Sequence, residues 1–356
     1  MTPRTRPALP LSRRLGFSVL VTVGLLALLE GVAWLLPSSL TARREIVLSR
    51  PGQGEAMVAN EDVPGWDLNY PEGWLGNQHY TTNQWRMRGP EHPVEKPANA
   101  WRVIFVGDSA IFGYLLGWPD TIPGQLERLS EQRYGVDYQV AACAAPGHSS
   151  AQSVYKLSRH CLGFQPDVVV IGNRNSDGTM DIATDRERFQ LQAWSGPASL
   201  LQRLALYRLI RNRWLAARVA SGASDTPERI AHGGDPSAPK GEFRRVPPEE
   251  YEENLREMIR LSREAGAQPV LLLLPVVFDL PWYQLQKTPL NDEYNQVMRK
   301  VAQQESVPLA DGPEWFARAP MVNDIFVDSV HPGRTGALFI AELLDQVVPG
   351  PPQAQR

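Results

Sequence analysis

Cysteine is scarce in this chain, with only two among 356 residues. Two thiols cannot build a disulfide scaffold or a four-thiolate zinc site. An excess of one charge is also missing, because 36 Lys and Arg face 39 Asp and Glu, for a formal net charge of −3. A nucleic-acid binder normally carries a basic excess, so the composition argues against a nucleic-acid partner. Metal-ligand spacings and a glycine-rich phosphate loop are absent from the sequence too, and we expect no metal and no other cofactor.

Long apolar runs are equally scarce, and the one present lies near the N-terminus. Residues 15–36 form a run of 22 residues with a single charge, Glu30. A helix of that length measures about 33 Å, enough to cross a hydrocarbon core of about 30 Å. Four arginines precede the run and three follow it within a similar distance. This bias favours a cytoplasmic N-terminus and an extracytoplasmic remainder.

A cleaved signal peptide is the alternative to a permanent anchor. The apolar run is too long for a signal peptide, and residues 34–37 read Trp-Leu-Leu-Pro, without a small-residue cleavage site. We therefore predict a cytoplasmic tail over residues 1–14 and an uncleaved single-pass anchor over residues 15–36. The anchor would lie in the inner membrane, with the rest of the chain in the periplasm.

Residues 37–100 are rich in proline, glycine and aromatic side chains and show no long helical period. We favour an irregular leader whose aromatic side chains pack on the main domain. A sugar-stacking platform is the alternative. The aromatic side chains concerned are Trp66, Tyr70, Trp74, Tyr80 and Trp85.

Short apolar strands alternate with helices from residue 101 to residue 347, before a short tail over residues 348–356. The predicted strands are residues 103–107, 137–144, 166–172, 268–275 and 307–311, and the predicted helices are residues 121–134, 150–162, 248–265, 290–306 and 334–347. Alternation of this kind implies parallel pairing by right-handed crossovers. The sequence therefore predicts an α/β three-layer sandwich, flavodoxin-like, with a five-stranded parallel sheet.

About 75 residues separate the third strand from the next predicted helix. Residues 198–219 have helical character, whereas residues 221–247 are polar and poor in apolar side chains. We predict that residues 221–247 form a flexible insertion, either a surface loop or a lid. Cys143 ends the second strand and Cys161 closes the helix that follows. We expect these two thiols to be buried and unpaired, because helix rise would set their Cα atoms roughly 15 Å or more apart, too far for a disulfide.

Two polar motifs fall where ligands bind in parallel α/β sheets, at the carboxyl ends of the strands. Ser109 follows Gly107 and Asp108 directly after the first strand, on a tight strand-to-helix turn. An ordinary helix N-cap is the alternative interpretation of this turn. Asp328 and His331, three residues apart before the last helix, can hydrogen-bond so that the carboxylate orients the imidazole as a base. A surface turn is the alternative there.

Two further turns offer hydrogen-bond donors for an oxyanion. Gly147, after the second strand, allows the backbone to approach closely, so that its N–H can act as a donor. The turn after the third strand reads Gly-Asn-Arg-Asn-Ser-Asp over residues 172–177, and an asparagine amide there can supply another donor. A nucleophile, a base, an orienting acid and oxyanion donors are the groups that acyl transfer through a covalent ester requires.

With these motifs the sequence resembles the SGNH, or GDSL-type, hydrolase superfamily over residues 101–347, in the manner of its membrane-anchored bacterial members. The family's first block matches Gly107-Asp108-Ser109, with Ala110 in place of leucine. The resemblance implies Ser109 as the nucleophile, His331 as the general base and Asp328 as the orienting acid. It also implies the N–H groups of Ser109 and Gly147 as oxyanion donors. Residues 82–91 resemble, more loosely, a leader that precedes the first block in such members, and we expect a structural role for them.

The family's third block, Gly-x-Asn-Asp, is altered here. Counted without gaps from Pro166, Ser176 falls on the oxyanion asparagine and Asp177 on the aspartate. A turn one residue longer would let Asn175 or Asn173 supply the amide. We favour Asn175, with Asn173 and Ser176 as alternatives.

The resemblance implies a membrane-anchored serine esterase that removes an O-acyl group, such as acetyl, from a carbohydrate or lipid. Transfer of the acyl group to an envelope or exported polysaccharide uses the same triad and is the first alternative. A non-catalytic membrane-anchored scaffold of the same fold is the second.

Overall fold

The computed structural model describes two compact units, residues 1–45 with 193–229 and residues 46–192 with 230–356. The statements below concern the part of the chain whose placement is defined. The described residues are 11–35, 48–49, 56–57, 72–75, 78–181, 184–186, 204–207, 209–210, 213, 243–281, 289–318 and 323–352.

The first unit contains helix α1, Leu11–Leu35. Its segment Gly16–Leu35 is apolar and almost wholly exposed, and within the described residues it is the one helix long and apolar enough to cross a membrane. Length and composition fit either a membrane anchor or a signal sequence. The single acidic side chain of this segment, Glu30, accepts hydrogen bonds from the backbone N–H groups of Ala205 and Leu206, at 2.7 and 2.9 Å.

The second unit is built on a five-stranded parallel sheet. The strands of the described residues are β1 (Leu48–Ser49), β2 (Ala56–Met57), β3 (Glu72–Leu75), β4 (Gln78–Thr81), β5 (Ala100–Gly107), β6 (Asp137–Ala144), β7 (Val168–Gly172), β8 (Met180–Asp181), β9 (Phe243–Arg244), β10 (Gln268–Leu273) and β11 (Leu309–Asp311). The central sheet has the order β11-β10-β7-β5-β6. Numbered along the chain, its strands run 2-1-3-4-5, which is the flavodoxin-like order. The predicted fold class is confirmed.

Helices cover both faces of this sheet. They are α2 (Ser109–Phe112), α3 (Ile122–Tyr134), α4 (Ser150–Arg159), α5 (Pro248–Glu264), α6 (Pro289–Glu305), α7 (Gly312–Phe316) and α8 (Arg334–Val347). Alternate residues of β5 enter opposite cores: Phe105 packs with α3 and α8, and Ile104 packs with α4, α5 and α6. Strands buried on both faces read as continuous apolar runs, which is why their positions are visible in the sequence within three residues.

The described part of the leader packs on the sheet. Arg88 forms an antiparallel bridge with Ala142 on edge strand β6, and its buried guanidinium lies 4.8 Å from the centre of the Phe112 ring. Tyr80 is buried beside the same ring, whereas Trp85 is 44% exposed. For Tyr80, these contacts agree with the predicted packing of the leader aromatics on the main domain. The side chains of the earlier leader aromatics lie outside the described residues.

The insertion prediction needs a correction at its C-terminal end. Most of the predicted flexible insertion, residues 221–242, lies outside the described residues. In residues 243–247, which the structure describes, β9 pairs with β8, Val246 is fully buried, and Arg245 forms a buried ion pair with Asp185. Composition alone missed this end because the two buried side chains, Arg245 and Val246, stand among mostly polar residues in the sequence.

The prediction of two separate thiols is wrong, because Cys143 and Cys161 form a disulfide with a Cα–Cα distance of 6.3 Å. Helix rise measures the distance between the two ends of α4 only. Five loop residues, 145–149, separate the strand from the helix, so the end of α4 returns to the strand. Both cysteines lie in the core on that face.

Removing this disulfide should lower stability considerably. The bond closes a loop across a sequence separation of 18 residues. On the chain-entropy model a loop of that size contributes about 3 kcal/mol. The variant Cys143→Ala/Cys161→Ala should therefore melt about 6–12 °C lower by calorimetry, at about 2–4 °C per kcal/mol for a domain of this size. A reducing agent should lower the wild-type melting temperature similarly and leave that of the variant unchanged. Equal melting temperatures for the oxidised wild type and the variant would contradict the expectation.

Candidate active site

Ser109 stands at the first residue of α2, immediately after the carboxyl end of β5. The turn needs Gly107, because a Cβ there would lie 2.7 Å from the Gly172 carbonyl oxygen and 2.5 Å from Cγ1 of Ile111. Asp108 caps the helix, its Oδ1 accepting the N–H of Ala110 at 3.0 Å. Burial raises the pKa of Asp108, although the Ala110 N–H and the nearby His331 and Arg174 side chains oppose the shift. The N-cap role that sequence allowed thus belongs to Asp108, and the Ser109 hydroxyl remains half-exposed.

The loop before α8 orients His331 through Asp328. One carboxylate oxygen, Oδ1, accepts the backbone N–H groups of Val330 and His331, at 2.9 and 2.8 Å. The other, Oδ2, lies 2.6 Å from Nδ1 of the imidazole. Burial acts to raise the pKa of Asp328, but the hydrogen bonds from the His331 ring and the two backbone N–H groups outweigh it, and the pKa is lowered. The carboxylate is therefore an ionised acceptor that fixes the ring orientation.

The two motifs meet although 222 residues separate them. Nε2 of His331 lies 2.7 Å from Oγ of Ser109. The imidazole is 14% exposed and Asp328 44% exposed, so a substrate can approach from solvent. With Asp328 on Nδ1, Nε2 is left as the nitrogen that can accept the Ser109 proton.

Tyr114 is a residue of this site that the sequence did not reveal. Its ring stacks on the His331 imidazole, with centroids 4.4 Å apart and planes inclined by 28°. Its backbone N–H donates to the Ser109 carbonyl at 3.0 Å, in the turn that ends α2. Only its position five residues after Ser109, in a turn containing Gly113, could have drawn attention to it.

Ser109 and Gly147, whose backbone N–H groups are the predicted oxyanion donors, both keep those groups available for a further hydrogen bond. Among the described residues, neither the N–H of Ser109 nor that of Gly147 has a hydrogen-bond acceptor. Gly147 has a φ of 76°, in the left-handed region that favours glycine. Its turn is closed by the His148 N–H, which donates to the Ala145 carbonyl at 3.1 Å.

The turn after β7 brings polar side chains to the same end of the sheet. Asn175 is half-buried, Ser176 is 7% exposed, and Asn173 is completely buried. Within the described part of the chain the side-chain amide of Asn173 has no partner, whereas the backbone carbonyl of Asn173 accepts the hydroxyl of Tyr251 at 2.5 Å. Asp177 is buried and accepts the N–H and hydroxyl of Ser150. Asn175, Asn173 and Ser176 all stay predictions for the third oxyanion donor.

Comparison with known protein families decides the classification. The model of the GDSL-like lipase/acylhydrolase family matches residues 105–338, about two thirds of the chain. The chain belongs to this family. The prediction of a GDSL-type hydrolase is thereby confirmed, and the matched region contains Ser109, Gly147, Asp328 and His331.

Solved structures that are similar to this acylhydrolase have low sequence identity to it. A lipase/acylhydrolase from Enterococcus faecalis is 15% identical with a TM-score of 0.44, covering 69% of this chain and 94% of that one. An acetyl xylan esterase is 15% identical with a TM-score of 0.45, covering 70% and 100%. An α/β hydrolase from the metagenome of Lake Arreo, Spain, is 16% identical with a TM-score of 0.45, covering 68% and 93%. No curated protein matches the chain by sequence.

The described part of this acylhydrolase was also compared with the requirements of a metal site, which needs several ligand side chains close together. No group of three or more His, Cys, Asp and Glu residues is placed there to hold a metal ion. The side chains joined to Ser109 by hydrogen bonds are the imidazole of His331 and, through it, the carboxylate of Asp328.

Proposed function

We propose that this acylhydrolase is a membrane-anchored, extracytoplasmic serine esterase that removes an O-acyl group from a carbohydrate or lipid. The observation that carries the proposal is the hydrogen-bonded chain from Ser109 through His331 to Asp328, at 2.7 and 2.6 Å. Acetyl is the acyl group we propose. The substrate class and the acetyl group follow from the resemblance to SGNH hydrolases.

The proposed reaction has two steps, acylation of Ser109 and hydrolysis of the acyl-enzyme. His331 Nε2 takes the Ser109 proton as Oγ attacks the acyl carbonyl, and the N–H groups of Ser109 and Gly147 hold the oxyanion. His331 then returns the proton to the leaving alcohol oxygen, and the acyl group remains on Ser109. In the second step, His331 takes a proton from water as the water oxygen attacks the acyl carbonyl. His331 then returns this proton to Ser109 Oγ, and the carboxylic acid is released.

The proposed location rests on α1 and on the disulfide. Segment Gly16–Leu35 is long enough to span a membrane, and the excess of arginines before it favours a second unit outside the cytoplasm. A structural disulfide, Cys143–Cys161, persists in an oxidising compartment. Both features support a single-pass inner-membrane protein with its hydrolase domain in the periplasm.

Labelling with a fluorophosphonate tests the proposal directly, because the reaction needs the nucleophile, the base and the oxyanion donors together. The full chain in detergent should be labelled at Ser109, identified by peptide mass spectrometry, and should hydrolyse nitrophenyl acetate. Absence of both would favour the non-catalytic scaffold. Acylated sugar formed when a sugar acceptor is added, in preference to free acid, would assign the chain as an O-acyltransferase.

The activity should be lost at acid pH. A protonated imidazole cannot accept the Ser109 proton, so kcat/KM on nitrophenyl acetate should be lower at pH 5 than at pH 8. The pKa of Asp328 is lowered, so its carboxylate stays ionised over this range and adds no second step. A stopped assay for released acetate across the pH range is the measurement. Full activity at pH 4 would contradict the assignment of His331 as the base.

A further inference from the structure

Arg245 and Asp185 form an ion pair in the interior of the second unit. Their side chains are 6% and 1% exposed. The pairing is bidentate, with Nε donating to Oδ1 at 3.1 Å and Nη2 to Oδ2 at 2.9 Å. The two backbones are also joined, because the Asp185 N–H donates to the Arg245 carbonyl at 2.7 Å. The position of the guanidinium is therefore fixed from two directions.

The remaining donors of Arg245 reach the loop between β6 and α4. Nη1 donates to the Gly147 carbonyl at 2.7 Å, and Nη2 also donates to Oε1 of Gln152 at 2.9 Å. The same Gln152 oxygen accepts the backbone N–H of Ser149, within the capping box that starts α4. One guanidinium thus contacts the loop at Gly147 and at the first turn of α4.

Glycine needs such an external restraint in order to point its N–H group in one direction. Gly147 has no side chain, and its left-handed φ of 76° is one of several conformations equally open to it. The bond from Arg245 to the Gly147 carbonyl and the bond from the His148 N–H to Ala145 both hold the peptide between Gly147 and His148. They act on the Gly147 N–H, which belongs to the preceding peptide, by restricting the φ and ψ angles of Gly147. These two bonds leave the Gly147 N–H as the group of that residue without an acceptor in the described part of the chain.

A buried ion pair is a poor means of stabilising a fold. The cost of desolvating both charges offsets most of their attraction, and apolar replacements are often as stable. In some proteins such a pair instead fixes one specific geometry. Here the contacts of the pair lead to Gly147, a predicted oxyanion donor.

We infer that Arg245 is a positioning residue that holds the Gly147 N–H in the direction required by the oxyanion. The inference rests on the proposed function. Arg245 does not touch the substrate and acts through the Gly147 carbonyl and Gln152. The base of the long insertion, at β8 and β9, is thereby coupled to the active site.

The test compares Arg245→Gln with Arg244→Gln, the adjacent residue of β9, whose ion pair with Glu293 lies at the surface. In Arg245→Gln, kcat on nitrophenyl acetate should fall about 10²-fold, close to the loss of one oxyanion donor. KM should change less than about threefold, and the acid limb of the pH profile should not move, because the triad is untouched. Arg244→Gln should behave as wild type. Arg245→Lys should be intermediate, since an ammonium cannot make all four bonds of the planar fork.

Hydrogen exchange of the peptide that covers residues 145–149 provides a readout independent of activity. It should increase in Arg245→Gln and stay at the wild-type level in Arg244→Gln. If Arg245→Gln alone fails to fold, the double variant Arg245→Leu/Asp185→Leu removes both charges together and should show the same local increase and the same loss of kcat.

Three results would overturn or separate the two proposals. Wild-type kcat together with wild-type exchange in Arg245→Gln would overturn the inference. Increased exchange throughout the domain in both the single and the double variant would do the same, by showing a general structural role. The third result is a wild type that is inactive and unlabelled, while Arg245→Gln still shows increased exchange only at residues 145–149. It would support the positioning of the loop by Arg245 and reject the esterase.

Discussion

Ser109→Ala should abolish ester hydrolysis and fluorophosphonate labelling while leaving the domain folded. The substitution removes one oxygen at a half-exposed position, so the melting temperature should stay within about 2 °C of wild type, as for surface substitutions. Without Oγ no acyl-enzyme can form, and kcat should fall about 10⁴-fold or more, to what binding and the oxyanion donors alone supply. Release of nitrophenol, corrected for the uncatalysed rate, is the measurement.

Ser158→Ala is a matched control for this variant. Ser158 is exposed on α4, and its hydroxyl donates only to the Tyr155 carbonyl among the hydrogen bonds given by the structure. The control should keep wild-type kcat and wild-type labelling. Retained hydrolysis in Ser109→Ala, at more than about a tenth of the wild-type rate, would show that another group is the nucleophile.

Asp328→Asn should lower kcat by about 10²–10⁴-fold with a smaller change in KM. An asparagine amide can still accept the backbone N–H groups of Val330 and His331, so the loop should keep its shape. The NH₂ group of the asparagine then takes the place of Oδ2 and donates to Nδ1, which favours the tautomer that carries the proton on Nε2. That tautomer cannot accept a proton from Ser109, and the charge that stabilises the imidazolium is lost.

Asp345→Asn provides the comparison, since it neutralises a carboxylate near the C-terminal end of α8 that pairs with Arg133 of α3. Its kcat should equal that of wild type. The two variants and the wild type should be measured at pH 7 and at pH 9. An Asp328→Asn enzyme with unchanged kcat at both pH values would remove Asp328 from the mechanism.

The order of elements and the location of the polar turns could be derived from the sequence alone. Strands buried on both faces require unbroken apolar runs, and the helices between them require parallel pairing, so local patterns specify the sheet. The carboxyl ends of β5 and β6 are then adjacent by topology, which places Ser109 and Gly147 at one edge. The Asp-x-x-His spacing of Asp328 and His331 is similarly local, because a three-residue turn brings the two side chains together.

Tertiary structure alone decided the contacts between segments distant in the chain. The approach of His331 to Ser109, the stacking of Tyr114 on the imidazole and the bond from Arg245 to Gly147 depend on how whole loops pack. No periodicity records such contacts, because each is made once between residues of ordinary type. The Cys143–Cys161 disulfide is of the same kind, since it depends on the path of a five-residue loop rather than on the length of a helix. Local sequence pattern therefore determined which polar groups lie at the carboxyl ends of the strands, and packing determined how these groups are oriented there.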